Sequence, residues 1–344
     1  MKNVIYSIMV VAISLASCTK KTTETSERFY FRNDGADLAV QVDGNIHSKV
    51  FILMLHGGPG GGAGAYNTGY YADKLEEKYA MVYMDQRGNG ASQGNFSADQ
   101  LTLEQNSKDV YALTLFLKQK YGSDISLFLM GHSWGGITSA HALIHTNIQS
   151  ELKGWIEVDG AHDFVQNDIE AVKMFLEIGN QQVAAGNSLG FWNPLLPQIE
   201  AMDTTNITSQ DQGVLNSKGF EAERNIPDIK NDGPQGSSSE FSAFTNPDAS
   251  IAVYMNNQAV NPPLNQDSQN NPLTDRLNEI NIPSQFLWGK YDFVVPPAIG
   301  VSGYNNVGTS EKELVIFQYS GHSPMNNEPV LFVEEVSDFI EQYK

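Results

Sequence analysis

The run from Ile125 to Gly136, I-S-L-F-L-M-G-H-S-W-G-G, constrains this chain more than any other stretch. Leu127 to Met130 is continuously apolar, as a strand buried on both faces is, and it breaks into a glycine-flanked serine before a helix-compatible segment. Gly131, Ser133 and Gly135 fit G-x-S-x-G, a strand-to-helix turn so tight that the neighbours of the serine must lack side chains. Such a turn lifts the hydroxyl above a sheet and aims the N–H groups of the following helix at whatever the hydroxyl touches. A chain with 30 Gly among 344 residues can match this pattern by chance, so the other segments decide its meaning.

A chain of this length holds one large core with an insertion or a partner domain. The net charge of -19 and a pI near 4.6 exclude a nucleic-acid partner, whose phosphates call for basic patches. Acidity of this kind solvates a surface; the other use for it is an acidic pocket for a cationic substrate. Residues 1–18 have the form of a signal segment. Lys2 supplies positive charge, Val4 to Leu15 is an apolar stretch too short to span a bilayer, and the small Ala16 and Ser17 follow. Leu15-Ala16-Ser17-Cys18 resembles the lipobox of bacterial lipoproteins, which implies lipidation of Cys18 and export to a bacterial membrane, facing the periplasm or the cell surface. Cys18 is the sole cysteine, so it has no internal disulfide partner. Residues 19–27 are polar and aperiodic and are expected to be a tether.

Residues 28–162 and 280–344 are expected to form the core, and 163–279 an inserted, mainly helical cap. Arg28 to Phe31 and Leu38 to Val42 read as an antiparallel pair around Asn33-Asp34-Gly35. Val50 to Leu55 is a central strand that ends in His56-Gly57-Gly58-Pro59-Gly60, a loop whose backbone N–H groups can approach a ligand closely. It lacks the lysine and Ser/Thr of a phosphate-binding P-loop. Helix Tyr66 to Tyr79 and strand Met81 to Met84 lead into Asp85-Gln86-Arg87-Gly88-Asn89-Gly90-Ala91-Ser92, where an Asp85–Arg87 ion pair is expected to tie the turn. Thr102 with Gln105 fits a capping box for the next helix. Trp155 to Val158 is a strand ending at Asp159. In the cap, Ile169 to Ala184 and Leu195 to Met202 are helical, and Asn231 to Ser239 is a loop of turn formers. Strand Gln285 to Trp288 precedes Asp292, strand Glu313 to Gln318 precedes His322, and Pro329 opens a terminal helix.

Strands alternating with helices give a mostly parallel sheet of about eight strands with helices on both faces, and each candidate group follows a strand. Ser133, Asp292 and His322 stand in the order nucleophile, acid, base. Asp159 and His162 compete for the last two roles. His141 and His145 lack the glutamate of a zinc-binding H-E-x-x-H, and no metal or organic cofactor is called for. Oxyanion donors are expected at the N–H groups of Trp134 and Gly58, with Gly57 as the alternative to Gly58.

H-G-G-P-G at His56 to Gly60, D-Q-R-G-x-G-x-S at Asp85 to Ser92 and G-H-S-W-G-G at Gly131 to Gly136 together resemble the prolyl iminopeptidase branch of the α/β-hydrolases. The likeness covers roughly 28–160 and 282–344. It implies an α/β-hydrolase fold, catalytic Ser133, Asp292 and His322, and a supporting loop from His56, Gly60, Asp85 and Arg87. It also implies release of N-terminal residues from short peptides through an acyl-enzyme. Such enzymes hold the free amine on acidic cap groups, and no cap residue here matches those glutamates. The elbow has His132 where that family often has glycine. An esterase or amidase acting on small acyl substrates is the second reading, and a ligand-binding protein that keeps the fold without turnover is the third.

Overall fold

Successive residues of the central strands point to opposite faces, and both faces are covered. In a computed structural model that describes residues 25–231, 233–234 and 251–344, Val50 to Leu55 is buried at every position. Phe51, Leu53 and Leu55 pack into one core, and Val50, Ile52 and Met54 into the other.

The elements run β1 (Thr25–Asn33), β2 (Ala36–Gly44), β3 (Val50–Leu55), α1 (Tyr70–Lys78), β4 (Ala80–Met84), β5 (Gln93–Gly94), α2 (Leu103–Tyr121), β6 (Ser126–His132), α3 (Trp134–His145) and β7 (Gly154–Val158). Then come α4 (Phe164–Ala184), α5 (Leu189–Glu200), α6 (Ser209–Glu223), α7 (Ile251–Gln269), β8 (Ser284–Gly289), α8 (Pro297–Asn306), β9 (Lys312–Phe317), α9 (Pro324–Asn327) and α10 (Pro329–Tyr343). Among the described residues nine strands form one sheet in the order β1-β2-β4-β3-β6-β7-β8-β9, with the short β5 paired to β2. Pairs involving β1, β2 and β5 are antiparallel and the rest are parallel. On one face α2 and α3 bury Val110, Leu113, Leu117 and Ile137. On the other, α1 and α10 bury Leu75, Phe332, Val336, Phe339 and Ile340.

The sheet has one strand more than expected, because β5 pairs over only two residues and carries no apolar pattern. β1 begins at Thr25, inside the segment read as tether, and alternates half-buried with exposed positions as an edge strand does. The helix expected from Tyr66 starts at Tyr70, after a single 3-10 turn at Ala63–Ala65. Between β7 and β8 the helices α4 to α6 share a third apolar cluster, built on Phe175, Trp192, Ile199, Leu215 and Ala222. Tyr291 and Phe293, which flank Asp292, complete that cluster, so the inserted helices seat directly on the loop after β8. Residues 1–24 and 235–250 lie outside the described residues, and with them Cys18 and most of the Asn231 to Ser239 loop. Among the described residues no helix is long and apolar enough to cross a membrane.

Two local expectations are corrected. Asp85 and Arg87 do not pair. Asp85 instead accepts the N–H groups of Ala63 (2.6 Å) and Ala91 (2.7 Å), which fastens the glycine-rich loop after β3 to the turn after β4. Arg87 turns inward to a bidentate pair with Asp109 of α2 at 2.7 and 2.8 Å, and two further N–H groups bond the carbonyls of Asn33 and Asp34. A buried guanidinium needs a paired charge and several acceptors, and a carboxylate two residues away that already holds two amides does not offer that. The capping box is the second. Thr102 accepts the Gln105 N–H, but the Gln105 side chain reaches Asp34 and Asp109 rather than back to the cap.

Candidate active site

β6 and α3 meet at Ser133, whose backbone sits at φ 55° and ψ -124°. A non-glycine residue there is strained, and the surroundings hold it: its N–H bonds Val158 O, while its carbonyl accepts the N–H groups of Gly136 and Ala161. A Cβ on Gly131 would collide with Gly135 O, and one on Gly135 with Leu55 O, so the flanking glycines are required by close backbone approach. Ser133 is half-buried at the sheet's C-terminal edge. Trp134 is the first residue of α3, where the N–H has no acceptor one turn back.

Asp292 and His322 reach the same edge from the loops after β8 and β9. Backbone bonds from Lys290 N to Phe317 O and from Tyr291 N to Ser320 O tie those loops together. Asp292 Oδ1 accepts two N–H groups, from Val294 and Val295, both at 2.8 Å. Its Oδ2 stands 2.8 Å from His322 Nδ1. Burial opposes a charge on His322, but the Asp292 carboxylate outweighs it, so the imidazole is raised above its usual range. With Nδ1–H donated to Asp292, Nε2 is the basic nitrogen.

Of the competing groups, His162 is fully buried against Glu157 (2.9 Å), and His141 and His145 stack on each other at 3.9 Å. Asp159 is near the site, with one oxygen accepting Gly289 N–H at 2.9 Å. Burial, then the neighbouring Asp292, push it well above the usual carboxylate range. His132, Asp159 and His322 are near enough to suggest a metal, but both ring nitrogens of His132 are spent in hydrogen bonds to Tyr66 and His322.

In the glycine loop, His56 is buried. Its Nδ1 bonds Gly57 O at 2.7 Å and its Nε2 accepts Gln86 N–H at 3.1 Å, which secures the loop's first turn. Gly57 N–H donates to the Tyr66 hydroxyl at 2.8 Å. Gly58 is exposed and Gly60 is buried behind it.

One residue at the site was not found in the sequence. Glu223, the last residue of α6, packs on Gly321 so tightly that a Cβ there would strike its carboxylate. Burial, then Asp292, raise its pKa to about 8, against the opposing pull of His322. Its Oε1 is sealed from solvent and has no hydrogen-bond partner. The capping box of Thr208 with Asp211 and the buried Leu215, Gly219 and Ala222 were the signals that would have placed this helix and its end.

A parallel sheet of this order with a strained serine turn between β6 and α3 is the α/β-hydrolase fold, and the chain is a hydrolase of that superfamily. A family model described as serine aminopeptidase, S33, matches residues 47–212. A probable aminopeptidase of Bacillus subtilis, YbaC, is 25% identical over 324 residues, covering 87% of this chain and 91% of the relative. A proline iminopeptidase of Saccharolobus solfataricus is likewise 25% identical over 320 residues, covering 87% and 89%. Among solved structures, an esterase from Exiguobacterium antarcticum superposes with a TM-score of 0.58 at 18% identity, covering 91% of this chain and 98% of its own. VinJ superposes at 0.60 and 20% identity, covering 92% and 99%.

Proposed function

We propose that this protein is a serine aminopeptidase that releases N-terminal residues from short peptides through an acyl-enzyme. Ser133 Oγ attacks the acyl carbon while His322 Nε2 takes its proton, and Asp292 holds the imidazole tautomer and stabilises its cation. The tetrahedral oxyanion sits between the N–H groups of Trp134 and Gly58, because Gly57 N–H is already given to Tyr66. His322 then protonates the leaving amine, and water attacks the acyl-enzyme by the same route in reverse.

The observation that carries the peptidase over the esterase reading is Glu223. Burial and Asp292 hold the Glu223 carboxyl protonated beside His322, and a substrate's N-terminal ammonium would draw it back to its charged form and pair with it. The two aminopeptidase relatives support this reading, and the esterase structures keep the second one in view. The test is a pair of aminoacyl arylamides with and without an N-acetyl group. Glu223→Gln is expected to raise KM for the free-amine substrate by about 30-fold or more, from the cost of removing one partner of a buried pair, and to leave a simple ester unchanged. Equal turnover of the acetylated and free substrates would favour the esterase.

Raised basicity of His322 sets a second expectation. A general base must be neutral, so the acid limb of kcat/KM should lie above pH 6.5, the ordinary histidine value, and turnover should fall as pH drops through it. A limb at or below 6.5 would mean that burial outweighs the neighbouring acids at this imidazole. We further propose that the protein works exported and anchored through a lipid on Cys18, a reading that rests on residues 1–18 of the sequence.

A further inference from the structure

We propose that Tyr66 and His132 are positioning residues that lock the glycine loop, the serine turn and the His322 loop into one frame, keeping Gly58 and His322 in register with Ser133. The proposal rests on the serine-hydrolase reading above. It starts from three hydrogen bonds in series. Gly57 N donates to Tyr66 Oη at 2.8 Å, Tyr66 Oη meets His132 Nδ1 at 2.7 Å, and His132 Nε2 meets His322 O at 2.8 Å. The direction of each is forced. A carbonyl only accepts, so His132 Nε2 carries the hydrogen. In a neutral imidazole Nδ1 then only accepts, so Tyr66 gives it the hydroxyl proton and keeps lone pairs for the Gly57 N–H. The chain therefore runs from the loop after β3, through the residue before the nucleophile, to the backbone of the base.

Its proton positions are stable. Burial, then the neighbouring His322, hold His132 down to about 3, and burial pushes the Tyr66 phenol above its usual range. The rings pack as well as bond, with centroids 5.5 Å apart for Tyr66 and His132 and 4.8 Å for His132 and His322. Space is equally tight at the other end. A Cβ on Gly57 would lie 2.9 Å from Ser133 Cβ and 2.9 Å from Tyr66 Oη. The loop thus crosses directly over the serine, and the bond to Tyr66 fixes how its peptide planes face. With Gly57 N–H turned to Tyr66, the next amide is the one presented to an oxyanion.

None of these groups touches a ground-state substrate in this account, so their loss should appear in kcat and not in KM. Rates of Tyr66→Phe, His132→Ala and the double variant on an aminoacyl arylamide would be expressed per site titrated with a fluorophosphonate, which removes any misfolded fraction. Tyr66→Phe, nearly isosteric, should lose about tenfold to 100-fold in kcat, less than an oxyanion donor removed outright, with KM within about twofold. Because the bonds act in series, the double variant should be no slower than the worse single. Unchanged kcat in Tyr66→Phe, or losses that multiply in the double variant, would overturn the proposal. Nitrogen-15 spectra of the imidazoles supply a readout independent of turnover. Between about pH 5 and pH 8 His132 should be neutral with hydrogen on Nε2. Hydrogen on Nδ1, or no change in its Nδ1 signal in Tyr66→Phe, contradicts the chain of bonds. Wild-type protein that neither labels nor turns over counts against the serine-hydrolase reading instead, and the spectra then decide the bond chain by themselves.

Discussion

Ser133→Ala is expected to lower turnover by about 10⁶-fold, to the level of the oxyanion hole and binding alone. The size follows from the absence of a substitute: the nearby loop serine, Ser92, is buried and gives its hydroxyl to Asp85 O while accepting Ala39 N–H. The substitution should leave the stability of the fold unchanged. Ser133 occupies a backbone conformation that costs of order 1–3 kcal/mol, and alanine inherits that strain, so the variant should keep the wild-type melting behaviour while losing chemistry. Steady-state rates on purified protein, checked beside a thermal melt, separate the two. Activity within tenfold of wild type would remove Ser133 from the mechanism.

Asp292→Asn carries the second-largest effect, about 10⁴-fold in kcat. Asparagine can keep the bonds from the Val294 and Val295 amides through its oxygen, so the loop should hold its shape. Its NH₂ group then faces His322 Nδ1, which must become an acceptor, and the hydrogen moves to Nε2 where the base is needed. The rival is Asp159, which lies near the same imidazole. Burial, the larger cause of its raised pKa, remains when Asp292 loses its charge, and one of its oxygens is committed to Gly289 N–H, so it is not expected to replace the lost charge. A mild effect at Asp292 with a severe one at Asp159 would transfer the acid's role.

The features legible in the sequence are those written in short range. The serine turn, the glycine loop and the strands that precede Asp292 and His322 depend on local patterns of apolar runs and small residues, and the doubly covered sheet follows from them. What is not legible depends on partners far along the chain. Arg87 finds Asp109 on α2 rather than its near neighbour Asp85, because a buried guanidinium needs a carboxylate free to pair with it and Asp85 is already held by two amides. Tyr66 and His132 are 66 residues apart, and neither belongs to a motif that names the other. The cap was harder still. α5 begins at Leu189 and carries Pro194 ahead of the helix read from Leu195, Pro262 and Pro263 lie inside α7, and α6 has a mostly polar face. Glu223 therefore came to light only once α6 was seen packed against the His322 loop.

The proposed chemistry depends on one nucleophile, Ser133, and covalent capture addresses it most directly. Purified protein treated with a fluorophosphonate, digested and read by tandem mass spectrometry should carry a single phosphonyl adduct on Ser133, lost in Ser133→Ala and retained in Glu223→Gln. An adduct on another residue, or undiminished hydrolysis with Ser133 unmodified, would contradict it.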